Sequence, residues 1–296
     1  MPILDLRLRG FIAQHLHPRL RQAASRLLDR FHIWRVGIVA TRLLGPQFHR
    51  SRRRIELNIT FACNLRCVNC DRSCEQAPTS MKMSLQQVTC FIEETVAAGY
   101  EWDDIVVIGG EPTIHTEFLK IVEALRQYRN LHSPQTRIVI FTNGYGRKVN
   151  QMLECLPRDV VVENSNKDGG HSIVSYHRSF NVAPVDLPIY RNADYRNGCW
   201  ITQECGIALG PSGYYPCGVA AGMDRILGRN VGRQYLPRED DTMEDLLNVF
   251  CRNCGHFKRG PETLPAPAEQ SPAWRNAYAA YNSKKPPLKE YGAPTK

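Results

Sequence analysis

No run of this sequence is apolar for long enough to cross a bilayer, which takes about 20 residues. The longest apolar stretch near the N-terminus, 36–41, is closed on both sides by Arg35 and Arg42. The uncharged stretch 205–223 contains five Gly and two Pro, so it reads as a turn-rich hairpin instead of a span. A secretory signal is not expected either, because Asp5, Arg7 and Arg9 interrupt the first apolar residues. Residues 1–54 have no Lys and no Glu; their 12 Arg face only Asp5 and Asp29, a net charge of +10. The whole chain of 296 residues carries +9, so the other 242 balance to −1. The basicity therefore belongs to an N-terminal arm, which argues against a general nucleic-acid binder. No aromatic residues interleave the basic run 50–54, and no nucleic-acid partner is expected. A hydrophobic content of 43% with 23% charge excludes a disordered chain, and no internal repeat is present.

What the sequence does hold is cysteine, 11 in all and mostly clustered. Cys63, Cys67, Cys70 and Cys74 lie together, as do Cys199, Cys205 and Cys217, then Cys251 and Cys254. Short spacings of this kind suit metal coordination, in which one loop must offer several thiolates to one centre. Such usage points to a reducing cytoplasm. Cys90 and Cys155 stand alone, and they and Cys74 read as inert thiols.

The rest of the pattern is α/β. In the arm, Leu20, Ala24, Leu27, Leu28, Phe31 and Trp34 have helical spacing with Arg on the other face. Ile55–Thr60 alternates as a strand does. Strands are expected at 104–108, 137–142 and 160–163, separated by helices at 84–98, 118–128 and 147–156, with Ser84 as an N-cap. That alternation implies a parallel sheet with crossover helices. A fifth strand is expected at 180–184, a hairpin at 207–209 and 214–215, and a helix at 242–250 capped by Thr242. From Gly260 onward Pro and Lys suggest an extended tail.

The sequence Cys63-Asn64-Leu65-Arg66-Cys67-Val68-Asn69-Cys70 sits directly after the first strand, and Gly109-Gly110-Glu111-Pro112 directly after the second. Three thiolates on a four-iron cluster leave one iron open, which marks a reactive centre. In spacing and in strand order the pair of motifs resembles the radical S-adenosylmethionine (SAM) superfamily. The resemblance implies a partial (β/α)6 TIM-like barrel, a [4Fe–4S] cluster on Cys63, Cys67 and Cys70, and SAM bound to the open iron. It also implies that Gly109, Gly110, Glu111 and Pro112 receive the methionyl end. Asn69 stands where the family often has an aromatic residue beside the adenine. Asn143 and Ser165, at the ends of the third and fourth strands, are candidates for further SAM contacts, since ligands sit at the carboxyl ends of parallel strands. His115 reads as a loop residue.

Cys199, Cys217, Cys251 and Cys254 form a C-x17-C…C-x2-C set with Cys205 inside it. This resembles the twitch domain, the short relative of the SPASM domain, and looks most like the arrangement in the 2-deoxy-scyllo-inosamine dehydrogenases. It implies one auxiliary [4Fe–4S] cluster, with Cys205 as the alternative to Cys199. Spacing alone also permits a zinc-ribbon site.

The chain is expected to divide into a basic helical arm (1–53), a barrel (54–190), a twitch-like domain (191–260) and a tail (261–296), of which the resemblance covers about 54–256. The expected function is radical SAM oxidation, with a 5′-deoxyadenosyl radical taking hydrogen from a sugar- or cyclitol-like small molecule. His171, Tyr176, His177 and Arg178 are candidates for the deprotonating group, and a flavodoxin or ferredoxin is the expected electron donor. Alternatives are a peptide-modifying radical SAM maturase and a non-catalytic zinc- or iron-binding scaffold. The arm also suits packing on the barrel, a targeting role, or peripheral contact with an anionic membrane.

Overall fold

A computed structural model describes residues 18–165, 180–258 and 270–293. The arm forms two helices, α1 (Pro18–Arg35) and α2 (Ile38–Leu44). β1 (Arg54–Thr60) follows and is central to the molecule. Its side chains alternate: Ile55, Leu57 and Ile59 enter the main apolar core, while Glu56, Asn58 and Thr60 are buried on the opposite side.

β2 (Asp104–Gly109), β3 (Arg137–Thr142) and β4 (Val161–Asn164) add to one edge of β1, all parallel. The crossovers run through α3 (Leu85–Ala97), α4 (Phe118–His132) and α5 (Arg147–Glu154), as parallel neighbours require. Ser84 caps α3 as expected. Its hydroxyl accepts the Gln87 N–H at 3.2 Å, and the Gln87 side chain accepts the Ser84 N–H at 2.9 Å. Val88 and Phe91 of α3 and Ile121, Val122 and Leu125 of α4 cover the apolar side of the sheet.

The other edge of β1 is taken by the hairpin. β5 (Ile207–Gly210) lies parallel to β1, with Leu57 opposite Leu209, and β6 (Gly213–Tyr215) returns antiparallel. The sheet order is β4-β3-β2-β1-β5-β6, so the chain is an α/β protein with a mainly parallel six-stranded sheet. The strand expected at 180–184 does not form. Phe180 is in a turn, and Pro184 and Pro188 each open a short 3-10 helix; proline has no N–H for a ladder. Three helices complete this half: α6 (Trp200–Glu204), α7 (Gly218–Leu227) and α8 (Glu244–Cys251). The cap of α8 is Met243 (φ 54°) and not Thr242.

The expected extended tail is also corrected. Pro272–Ser283 is a helix, α9, with Pro in its first turn, where the missing N–H costs nothing. Trp274, Tyr278 and Tyr281 recur at four and three residues and are buried on the main core. Beyond α9 the chain runs extended, and the fully buried Tyr291 shares the Glu94 carboxylate with Tyr214, at 2.7 and 2.6 Å.

Trp274 packs edge-on to Phe180, 4.9 Å between ring centroids, and donates its indole N–H to Asn253 O at 2.6 Å. Trp274→Ala should lower the unfolding free energy by about 3–5 kcal/mol in urea titration. A loss under about 1 kcal/mol would show that α9 is not part of the cooperative core.

Candidate functional site

β1 ends at Thr60, whose hydroxyl accepts the Ala62 N–H at 3.1 Å, and the chain turns into the first cysteine loop. The loop is held by its own backbone: Cys70 N–H to Cys67 O at 3.3 Å, Ser73 N–H to Cys70 O at 2.7 Å, Ala77 N–H to Ser73 O at 3.0 Å. Asn69 and Ser73 adopt left-handed conformations, φ 54° and 51°, that allow this winding. None of the eleven cysteines is in a disulfide. Cys63 accepts the Leu65 N–H at 3.4 Å. A hydrogen bond from the Cys74 thiol, more than the Leu65 contact, holds Cys63 below the ordinary thiol range against the effect of burial. Cys74 is held well above it, by hydrogen bonds to Cys63 and Cys70 and by burial. Cys74 thus belongs to this group and is not an isolated filler of the core, a proximity that sequence spacing alone does not show.

Gly109 and Gly110 end β2 beside this loop. A Cβ on Gly109 would collide with Thr60 O, and one on Gly110 with Ala62 O. The glycines are needed for the approach of one strand end to the other. Glu111 is fully buried, and its side chain is wholly engaged within the protein. One carboxylate oxygen accepts from Thr113 N–H (3.2 Å), Thr113 hydroxyl (2.7 Å) and Thr142 hydroxyl (2.9 Å); the other accepts the Asn143 N–H (2.8 Å). Glu111 therefore ties the end of β2 to the end of β3, and Pro112 opens the 3-10 helix that continues it. Asn143 reaches the cysteine loop: its amide donates to Asn64 Oδ1 at 2.9 Å and points toward Cys63 Sγ at 3.8 Å. Asn64 in turn donates to Tyr145 O at 2.8 Å. The Ser165 hydroxyl is occupied by Thr142 O at 3.1 Å. His115 Nδ1 accepts the Glu117 N–H at 3.0 Å, so Nε2 carries the proton and donates to Met83 O at 2.8 Å. Burial lowers its pKa, consistent with a neutral structural imidazole.

The second cysteine group converges from four element ends. Cys199 precedes α6, Cys217 precedes α7, Cys251 closes α8 and Cys254 opens a 3-10 helix. All four line one cavity with Ile201, Val219, Met223, Phe250 and Phe257. Burial raises each of the last three thiols, Cys217 to about 12, and the neighbouring thiols add to the effect. Cys205 does not line this cavity. It sits beside Glu56 and Arg72, and burial, then Glu56, raises its pKa. Among the described residues no three Cys, His, Asp or Glu side chains close around a single ion. Four thiolates can hold either a tetrahedral zinc or a four-iron cluster. The four thiols on the walls of this apolar cavity make up the donor set that either group requires.

Between the two groups lies a buried ion pair. Arg72 donates to Glu56 at 2.8 Å, to Asn58 at 3.0 Å and to Asp71 at 3.0 Å. Burial opposes the Arg72 charge, but Asp71 and Glu56 more than compensate and raise its pKa. Burial lifts the Glu56 carboxyl above its usual range despite Arg72. Gly218, directly after Cys217, has no room for a Cβ beside this pair. Arg225 of α7 binds the first loop, donating to Arg72 O (2.7 Å), Ser73 O (3.0 Å) and Ala77 O (2.5 Å), with Phe61 4.8 Å under its guanidinium. Glu56 and Asn58 were legible as polar residues on the second face of an alternating strand; nothing in the sequence pointed to Arg225. The candidates His171, Tyr176, His177 and Arg178 lie outside the described residues.

Residues 57–158 match the model of the Radical SAM superfamily. GTP 3′,8-cyclase of Haemophilus ducreyi is 32% identical over 102 residues, 34% of this chain and 29% of that protein. GTP 3′,8-cyclase of Mannheimia succiniciproducens is 30% identical over 109 residues, 36% of this chain and 31% of that protein. The chain thus aligns with under a third of the length of these relatives. Among solved structures, BtrN in complex with AdoMet and 2-DOIA covers 74% of this chain and 98% of its own at 12% identity and TM-score 0.40.

Glu111→Ala would leave the Thr142 hydroxyl and the Thr113 and Asn143 N–H groups without their acceptor. It should cost about 2–4 kcal/mol in chemical denaturation. A change within about 0.5 kcal/mol would refute the tie between the strand ends.

Proposed function

We propose that this chain, which carries a radical SAM domain over residues 57–158, is an oxidoreductase that removes two electrons from a hydroxyl-rich small molecule of sugar or cyclitol type. The domain implies a [4Fe–4S] cluster and SAM. In this reading Cys63, Cys67 and Cys70 hold the first cluster, and Cys199, Cys217, Cys251 and Cys254 hold an auxiliary one. The observation that carries the reading is the convergence of the second four cysteines on one cavity, apart from the first group. When bound, the first cluster with SAM supplies a 5′-deoxyadenosyl radical, and the second a one-electron acceptor.

The oxidation of an alcohol to a ketone removes one hydrogen atom, one proton and one electron. The chain's part is to hold the C–H in place, exclude water and receive the proton. Asn64 and Asn143 steady Cys63 and the adjoining strand end, where the methionyl end of SAM would lie against Gly109–Pro112; Asn69 would border the adenine, and Ser165 is a further candidate contact at the end of β4. Arg72, Glu56 and Asn58 give the region between the two cysteine groups a polar character suited to hydroxyl groups. The amide Nδ2 of Asn58 has no hydrogen-bond partner within the chain although it is buried, which leaves a donor for a ligand oxygen. His171, Tyr176, His177 and Arg178 supply the candidates for the proton acceptor. A low-potential flavodoxin or ferredoxin would deliver the electron that starts each turnover. The names of the GTP 3′,8-cyclases point to a nucleotide instead, but the alignments cover only 34% and 36% of this chain.

The test is SAM cleavage. Anaerobically reconstituted wild type with dithionite should form 5′-deoxyadenosine. The triple variant C63A/C67A/C70A should fall to the level of a protein-free control. Equal formation by both would remove the radical SAM assignment of these three residues.

A further inference from the structure

The helices of the arm are fixed to the body by one side only. His32 Nε2 lies 3.3 Å from Phe257 O, and its ring meets the Phe257 ring edge-on at 6.4 Å between centroids. Val36 packs with Tyr190, Leu247, Cys251 and Phe257. The turn between the helices is bonded in place: Ile38 N–H to Asn192 O at 3.0 Å and Asp194 N–H to Val36 O at 2.7 Å. Arg35 Nη2 donates to Gly45 O at 2.9 Å, which ties α1 to the end of α2.

The other side is apolar and open. Leu20, Leu27, Phe31 and Trp34 of α1, with Val39 and Leu43 of α2, are between 56% and 78% exposed. The four on α1 fall within an arc of about 60° on a helix of 3.6 residues per turn. Phe31 and Trp34 are already paired, 5.6 Å between ring centroids. Exposed Arg26 and Arg30 follow the edge of this stripe, and Arg42 is exposed on α2. An apolar patch that a protein leaves in water at this density marks an interaction surface.

We infer that α1 and α2 form a membrane-docking surface for an anionic lipid bilayer, with the apolar stripe in the acyl boundary and the flanking Arg at the headgroups. The charge selects this occupant. Residues 1–54 carry +10, so a second copy packed on the same face would bring two strongly positive arms together. An anionic surface instead gains from each Arg close to it. No helix among the described residues is long and apolar enough to cross a membrane, so the helices lie in the interface plane. Because α1 rests on Phe257, which also lines the cavity of the second cysteine group, docking would turn that side of the molecule toward the bilayer. This inference is independent of the chemistry at the cysteines.

Full-length reconstituted protein should co-sediment with vesicles containing phosphatidylglycerol at least about tenfold more strongly than with phosphatidylcholine alone, and the binding should weaken with salt. The triple variant L27S/F31S/W34S and the charge variant R26E/R30E should each lose about tenfold of it. Both alter only exposed side chains, so their far-ultraviolet circular dichroism and melting should match wild type. Vesicles should blue-shift the tryptophan emission of wild type but not of W34F, which should still sediment. Equal sedimentation of wild type and both variants, or no preference for anionic vesicles, would overturn the inference. So would a dimer in solution that L27S/F31S/W34S dissociates.

Discussion

Gly110 donates its N–H to Thr60 O at 2.8 Å, and Glu111 donates to Ala62 O at 2.9 Å, so the residues just past β2 are bonded to the last residue of β1 and to the turn beyond it. No Cβ fits at either glycine of this contact. The rest of the site depends on that close approach. It sets where the first cysteine loop leaves the sheet, and it places the Glu111 carboxylate under Thr142 and Asn143. From there Asn143 reaches back to Asn64 inside the loop. Three strand ends are thereby joined at one point, at the carboxyl edge of a parallel sheet, where ligands of such folds bind.

The loop is also held from the second half of the chain. Arg225 has no carboxylate among its hydrogen-bond partners; its guanidinium spans three carbonyls of residues 72–77 and rests on Phe61. Tyr278 of α9 adds a hydroxyl contact to Ser73 at 2.8 Å. Arg72 then extends from the loop to Glu56 of β1, next to Cys205 and Gly218. The two cysteine groups are thus mechanically linked through side chains that belong to neither. A buried pair such as Arg72–Glu56 contributes little net stability compared with an apolar replacement, but removal of one partner strands the other charge. Its value here is positional.

Much of this was legible in the residues. Alternation gave β1, including its polar second face. Ser84 marked the start of α3, and Asn143 the end of β3. Cysteine spacing separated the two groups. Other features depend on contacts that spacing does not encode. The hairpin completes the main sheet because β1 has a free edge, a matter of tertiary pairing. Pro184 and Pro188 override the apolar signal near Phe180. In the tail, Pro and Lys mask the 274, 278, 281 aromatic spacing of α9. Periodicity announced an amphipathic arm but not which face would be covered, and the body takes His32 and Val36 and leaves Phe31 and Trp34 in water. The choice between Cys199 and Cys205 is likewise geometric, since only Cys199 shares the cavity with Cys217, Cys251 and Cys254.

That choice gives the most direct test of the whole account. After anaerobic reconstitution, metal analysis should find about eight irons and no zinc per wild-type chain, about four irons in C199A and still about eight in C205A. Four irons accompanied by one zinc in wild type, or loss of iron in C205A but not in C199A, would contradict the assignment of a second four-iron site to this cavity.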